Sequence, residues 1–198
     1  MGYLTALGLS SAAGLNAYIP LLVFGLIARY TDIVTLPEGW AWISNGWTLS
    51  IVALLLIVEI VADKIPALDS INDIVQTFIR PTSGGLVFAS GVSAQTPMVS
   101  AMTDHSTWKS LVVGAIIALI FHGFKALGRP AANVSTAGVG APIISTIEDV
   151  FALAGTLVAI FLPVLVAVVI VAVLVILYLM YRKMKGRKRT RGSRVVQI

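Results

Sequence analysis

Long apolar runs without a charged residue constrain this chain more than any other feature. Four runs of at least 20 residues contain no Asp, Glu, Lys or Arg, namely Met1–Ala28, Gly39–Val58, Pro81–Thr103 and Val150–Tyr181. A helix that crosses a membrane needs about 20 largely apolar residues. Ser110–Phe124 is shorter, but the flanking Lys109 and Lys125 can extend it, since lysines reach toward the membrane surface. The sequence therefore predicts spans at 3–29, 44–63, 83–102, 109–128 and 150–181.

The composition supports a membrane protein and disfavours several other classes. Hydrophobic residues make up 58% of the chain and charged residues 12%, whereas soluble domains carry about 45–50% and about 25%. A soluble enzyme, a disordered chain and a nucleic-acid-binding domain are therefore disfavoured. The chain has no cysteine, which excludes disulfides and thiol nucleophiles. No HExxH, P-loop or GxSxG motif occurs, so we expect no cofactor and no enzyme, while metal binding stays open.

The positive charge is concentrated at the end of the chain. Eight of the 14 basic residues are Arg182, Lys183, Lys185, Arg187, Lys188, Arg189, Arg191 and Arg194. Basic residues next to a span favour the cytoplasmic side of the membrane. We therefore expect a transmembrane domain over residues 1–181 in the cell membrane, and a cytoplasmic tail over 182–198. The tail is expected to contact anionic lipid headgroups rather than nucleic acid.

Residues 66–80 are amphipathic at helical spacing but too short to span. The apolar face carries Leu68, Ile71, Val75, Phe78 and Ile79, and the polar face carries Asp69, Asn72, Asp73, Gln76 and Arg80. Pro66 suits the first turn of a helix, and Pro81 is expected to end it. Two interpretations remain open: a helix in the membrane interface or a re-entrant helix that lines a cavity.

Residues 129–145 form the second segment that is not expected to span. They are small, interrupted by Gly and Pro, and almost uncharged, so the segment is either an external loop or an inserted irregular stretch. Ser145 and Glu148 predict a capping box that opens the next helix. Five of nine residues are identical between Ser11–Ile19 and Ser135–Ile143. This suggests an internal duplication, as in transporters with discontinuous helices.

Ionisable residues within or beside the predicted spans are the candidate functional groups. An ionised group left unpaired at membrane depth costs a few kcal/mol on insertion scales, roughly 2.5–3.5 kcal/mol. These groups must therefore meet one another, water or a ligand. We expect one wall of a substrate or ion pathway to carry Glu59, Asp63, Asp69 and Asp73, and the facing wall to carry Arg80, His122, Lys125, Arg129, Glu148 and Asp149. The alternatives are boundary anchors, helix caps and lipid-headgroup contacts.

Several segments together resemble a known family. They are the run Ser11–Leu22, the run Glu59–Asp69, the Arg80–Pro81 pair, the run His122–Lys125, and the stretch Pro142–Asp149. The chain resembles the small bacterial integral membrane proteins grouped as domain of unknown function 4126. The resemblance implies a membrane protein and brings no established activity.

The combined interpretation is an all-α polytopic transmembrane helix bundle of about five spans. The polar groups beside interrupted helices favour a transporter or channel for a small or anionic solute, coupled to protons or another cation. The alternatives are a scaffold or lipid-binding protein without transport, and an intramembrane enzyme that acts on a lipid. Its expected partners are the lipid bilayer and a second copy of the chain.

The orientation can be tested directly because the chain has no native cysteine. We expect Ser193→Cys to resist a membrane-impermeant thiol reagent in intact cells and to react after permeabilisation, because the basic tail stays inside. Gly2→Cys is the opposite probe, and five spans predict that it reacts in intact cells. Labelling of Ser193→Cys from outside would reverse the orientation.

Overall fold

The computed structural model describes residues 2–94, 105–135 and 140–172, and the single positions 175, 178, 179 and 182. It is all-α, and the described part contains no strand. The elements are α1 (Gly2–Leu15), α2 (Tyr18–Tyr30), a 3₁₀ helix (Glu38–Ser44), α3 (Gly46–Ala62), α4 (Pro66–Ala94), α5 (His105–Ser135), α6 (Gly140–Phe161) and α7 (Pro163–Ala172).

Helix α1 is the centre of the bundle and packs against α4, α5 and α6. Ala6, Leu9 and Ala13 on this helix are completely buried. Small side chains let helix backbones approach closely, which is how helices associate when the surroundings are as apolar as the side chains. The alanine- and glycine-rich sequence of α1 thus explains its central place.

The predicted span 3–29 is two helices rather than one. The chain leaves helical geometry between Leu15 and Tyr18, where the Asn16 carboxamide oxygen accepts hydrogen bonds from the N–H groups of Tyr18 and Ile19, both at 3.0 Å. The Ser83 hydroxyl of α4 donates to the Ala17 carbonyl. These contacts satisfy backbone groups that the break would otherwise leave unpaired, so a buried interruption is stable here.

Five spans are not confirmed by the structure. Among the described residues, two helices are long and apolar enough to cross a membrane: Thr107–Leu127 within α5, and α6. The 3₁₀ helix and α3 meet at 50° and give a third if they form one span. Helices α1 and α2, at 14 and 13 residues, are each too short to cross alone. The predicted span 83–102 lies partly outside the described residues.

The prediction that Pro81 ends a helix is wrong. Helix α4 is 29 residues long and continues through Pro81 to Ala94. The amphipathic stretch 66–80 and the start of the predicted third span therefore form one element. Proline removes one backbone hydrogen bond from a helix. Packing of α4 along α1 and α5 outweighs that local cost, as tertiary contacts often do.

The region 129–145 also differs from its prediction. Helix α5 runs to Ser135, and α6 begins at Gly140, while residues 136–139 lie outside the described part. Ser145 is therefore buried inside α6 and does not open it, because helical packing extends upstream of the capping motif. The predicted span 150–181 has 32 residues, which is too long for the hydrocarbon of a membrane, so the sequence predicts either a strong tilt or a break near Pro163. The helix breaks there: α6 ends at Phe161, and α7 starts with that proline.

The polarity of α4 is opposite to that of a soluble amphipathic helix. Leu68, Ile71 and Phe78 are exposed, whereas Gln76 and Arg80 are buried. An apolar outer face around a polar interior is what a lipid environment allows, because hydrocarbon solvates leucine and not arginine. The described helices are thus compatible with membrane insertion.

Helices α4 and α5 approach so closely that glycine is required at their contact. A Cβ atom on Gly114 would overlap the Gly84 carbonyl oxygen and the Phe88 side chain, whereas one on Gly123, also in α5, would meet nothing within 4 Å. We expect Gly114→Ala to lower the free energy of unfolding by about 1–3 kcal/mol, because overpacking forces the backbones apart.

Gly123→Ala is the matched control, and it should be neutral or raise stability by up to about 1 kcal/mol through helix propensity. Denaturant unfolding of the detergent-solubilised protein, followed by circular dichroism, compares the two variants. Equal stabilities would contradict the close α4–α5 contact.

Candidate functional site

A buried ion pair joins α3 to α4. The Arg80 guanidinium donates through Nη2 to Glu59 Oε1 at 3.1 Å, and the side chains of both residues are at most 1% exposed. Each group lies on the inner face of its helix, whereas the outer faces of α3 and α4 carry exposed apolar side chains such as Ile57 and Phe78. Pairing is therefore the condition under which these charges are tolerated.

His122 on α5 extends this pair. Its Nδ1 lies 2.9 Å from Arg80 Nη1, and its Nε2 lies 3.0 Å from the Thr77 hydroxyl. A guanidinium has only donors, so Nδ1 is the acceptor and the proton of the neutral ring lies on Nε2. Thr77 then accepts from His122 and donates to the Asp73 carbonyl at 2.8 Å. Donation therefore runs outward from Arg80, to Glu59 on one side and through His122 to Thr77 on the other.

Lys125 is the second buried cation, and two carboxylates hold it. Its Nζ lies 3.1 Å from Asp63 Oδ2 and 3.0 Å from Glu148 Oε2, and it also donates to the Leu15 carbonyl at 3.2 Å. Leu15 is the last residue of α1. One ammonium group therefore connects α3 and α6 to the carbonyl end of the broken first helix, where a positive charge is favoured.

Amide side chains complete the network. Asn16, at the α1–α2 break, donates to Asp149 Oδ1 at 2.9 Å, and Asn72 donates to Asp63 Oδ1 at 2.7 Å. Lys64 lies 3.9 Å from Asp149 Oδ2 and is partly exposed. Asp149 is thus contacted by Asn16, which lies at the α1–α2 break, and by Lys64 at the edge of the network.

The structure brings together most of the residues that the sequence singled out. Glu59, Asp63, Asp73, Arg80, His122, Lys125, Glu148 and Asp149 lie in or beside this network. Asp69 and Arg129 lie in α4 and α5, but their side chains are outside the described part. Glu59 and Asp63 of one predicted wall contact Arg80 and Lys125 of the facing wall, and a pathway between the two walls stays a prediction. Glu148 is the ninth residue of α6 and binds Lys125, so it does not cap a helix.

Sequence reasoning did not assign Asn16, Thr77 and Gln76 to the site. Asn16 lies 133 residues from its partner Asp149, and Thr77 lies 45 residues from His122. A single polar residue in an apolar run was the available signal for Asn16. The described residues contain no group of three or more acidic or histidine side chains with metal-binding geometry.

At the Glu59–Arg80 pair and the adjacent Gln76, three polar atoms are buried without a hydrogen-bond partner: Glu59 Oε2, Gln76 Oε1 and Arg80 Nε. Each residue is at most 2% exposed. A buried polar group without a partner costs about 1–3 kcal/mol, so atoms of this kind mark positions where a ligand, a proton or water completes the structure.

A groove of about 500 Å³ opens beside the network between α2, α3 and α6. Lys64, Thr146 and Asp149 form its polar part, and the remaining lining is aliphatic, including Ile19, Leu56 and Leu153. A polar end with a long apolar wall matches an amphiphile better than a compact ion.

The ion pairs of Lys125 have a measurable consequence. We expect Lys125→Met to lower the free energy of unfolding by about 3–5 kcal/mol, because it leaves two buried carboxylates without their cation. Lys109→Met on the same helix is the control, since Lys109 is exposed, and its effect should stay within about 0.5 kcal/mol. Thermal and denaturant unfolding in detergent give the comparison, and equal losses would show that the buried pairs add nothing to stability.

Comparison with known proteins gives the family of the chain. No curated protein and no solved structure matches it. A family model matches residues 3–183, which include the described helices from the second residue of α1 onward and the whole charged network. The chain belongs to the family described as domain of unknown function DUF4126.

Proposed function

We propose that this protein is an integral membrane transport protein, a transporter or channel, for a small anionic solute, with coupling to a proton or another cation. The observation that carries the proposal is the break between α1 and α2, which lies in the charged network. Lys125 binds the last carbonyl of α1, and Asp149 binds the side chain that opens α2. Discontinuous helices whose ends meet at charged groups form the substrate and ion sites of several transporter folds.

The burial of Arg80 supports an anionic solute. Its side chain is completely buried on a helix whose outer face is apolar. Replacing a buried ion pair by apolar groups often raises stability, so a scaffold has no need for such a pair. Guanidinium is also the group best suited to bind carboxylate or phosphate oxygens. A role in recognising an anionic solute would explain why the chain keeps a buried arginine despite the free-energy cost of removing its charge from water.

Lipid binding is the second candidate, and the groove between α2, α3 and α6 favours it. Its aliphatic wall suits an acyl chain, while Lys64 and Asp149 at the polar end suit a headgroup that carries both charges. In this alternative the network holds the helices together, and the groove is the binding site.

Proteoliposomes preloaded with chloride, nitrate or inorganic phosphate separate the two candidates. We expect the wild-type protein to release at least one of these anions faster than protein-free liposomes, under an imposed pH gradient. Arg80→Gln should slow that release roughly 10–100-fold, because a hydrogen bond to a charged group contributes about 1.5–3 kcal/mol. Ion chromatography of the medium measures the flux.

Arg29→Gln is the matched control for charge, because Arg29 lies at the exposed end of α2 and donates to the Ser44 carbonyl, away from the network. Its flux should equal that of the wild type. If none of the anions is released faster than from empty liposomes, transport of these solutes is wrong. Phospholipid that copurifies with the wild type and is lost in Lys64→Gln would then support lipid binding.

A further inference from the structure

The two buried cations are compensated differently. Lys125 contacts two carboxylates, Asp63 and Glu148, as well as a backbone carbonyl. Within the described residues, Arg80 contacts one carboxylate, Glu59, and its other partner is the neutral ring of His122. Loss of one negative charge therefore leaves Lys125 paired but leaves Arg80 without a counter-ion. The Glu59–Arg80 pair is the part of the network that one proton can open.

Two of the buried atoms without a hydrogen-bond partner lie on this same pair, and a third lies on Gln76, one turn from Arg80. Glu59 Oε2 and Gln76 Oε1 are acceptors without a donor, and Arg80 Nε is a donor without an acceptor. Gln76 and Arg80 are one turn apart on α4, so their side chains leave the same face of the helix. The Tyr18 side chain of α2 lies beside Gln76, Glu59 and Arg80. The polar atoms that lack hydrogen-bond partners therefore belong to groups in the same part of the interior.

A proton satisfies these acceptors better than a metal cation does. Protonated Glu59 gains an O–H donor at a buried oxygen that has no partner, whereas a metal cation at that oxygen would be repelled by the neighbouring guanidinium. The proton also removes the charge that holds Arg80. Nη2 and Nε of Arg80 then become available together, and two adjacent donors of a guanidinium fit a carboxylate, nitrate or similar anion.

We propose that Glu59 is a proton-binding site that controls anion binding by Arg80, with one proton and one monoanion taken up together. Glu59 carboxylate and hydronium give the carboxylic acid and water, and the monoanion replaces Glu59 as the counter-ion of Arg80. The net charge of the interior is the same before and after. This inference rests on the proposed transport function, and it names the coupled ion and the class of solute.

The groups that face Glu59 are consistent with this assignment. Arg80 faces it from α4, Lys125 from α5, Tyr18 from α2, and Asp63 lies one turn away on its own helix. Asp63 accepts hydrogen bonds at both oxygens, from Asn72 and Lys125. His122 uses Nδ1 to accept from Arg80 and so takes up no proton in this arrangement. Glu59 is thus the carboxylate that contacts Arg80 and also has a buried oxygen without a hydrogen-bond partner.

Infrared spectroscopy of the full-length protein in phosphatidylcholine liposomes tests the proposal. The carbonyl stretch of a protonated carboxylic acid is resolved from the amide bands, and it is followed from about pH 5 to about pH 9 in a zwitterionic buffer without added monovalent anions. We expect a band that appears as the pH falls, is absent in Glu59→Gln, and persists in Asp32→Asn, an exposed carboxylate outside the network. Addition of sodium chloride or sodium nitrate should move its midpoint to higher pH.

Linkage sets the size of that movement. If proton and anion bind together, the midpoint rises by about one pH unit for each tenfold excess of anion over its dissociation constant. If Glu59→Gln alone does not fold, the double variant Glu59→Gln, Arg80→Met replaces it, because it removes both charges at once. The double variant should also lack the band.

The outcomes are distinct. A wild-type protein without a Glu59-dependent band overturns the proton site. A Glu59-dependent band that neither chloride nor nitrate moves overturns the coupling to an anion. A band that responds to the anion in a protein without anion flux supports this site and contradicts the transport function instead.

Discussion

The buried charge pairs of Arg80 and Lys125 are the constraint on which the rest of this structure depends. Each pair connects residues far apart in sequence, 21 residues for Glu59 and Arg80 and 62 for Asp63 and Lys125. Unpaired charges in an apolar bundle cost several kcal/mol each, so helix arrangements that separate these residues are strongly disfavoured. The apolar outer faces add little to the choice among arrangements, because lipid accepts them in many orientations. The charges therefore determine which helices become neighbours.

The interruption of the first helix follows from the same network. A continuous helix through Asn16 would pair the Leu15 carbonyl internally and leave Lys125 with one partner fewer. The break exposes that carbonyl to Lys125, while the Asn16 side chain replaces the lost backbone pairing at the start of α2. Two short helix ends held by side chains can exchange partners at lower cost than one rigid helix, since only a few hydrogen bonds change. This is the property that a gated pathway requires.

The sequence predicted part of this arrangement, and physical reasons account for the rest. The apolar runs indicated helices correctly, the spacing of 66–80 indicated an amphipathic helix, and Pro163 marked a true break. Pro81 and Ser145 were interpreted through local rules for helix ends, and packing of α4 and α6 outweighed those rules. The ionisable residues of the site were identifiable because their burial is costly. Their polar supports were not, since Asn16 and Thr77 bind partners that only the fold brings near.

The two buried cations, Lys125 and Arg80, differ in how fully their hydrogen-bonding groups are paired, and this difference suggests different roles. Lys125 contacts two carboxylates and a backbone carbonyl, and through these contacts it connects α1, α3 and α6. Arg80 has one carboxylate, a neutral imidazole and an Nε without a partner, and the carboxylate itself retains an open oxygen. If the pair served only stability, these two atoms would be expected to have hydrogen-bond partners, because a buried polar atom without a partner is costly in a dry interior. The Glu59–Arg80 pair therefore has the geometry that the proposed exchange of partners requires, and the contacts of Lys125 connect the helices around it.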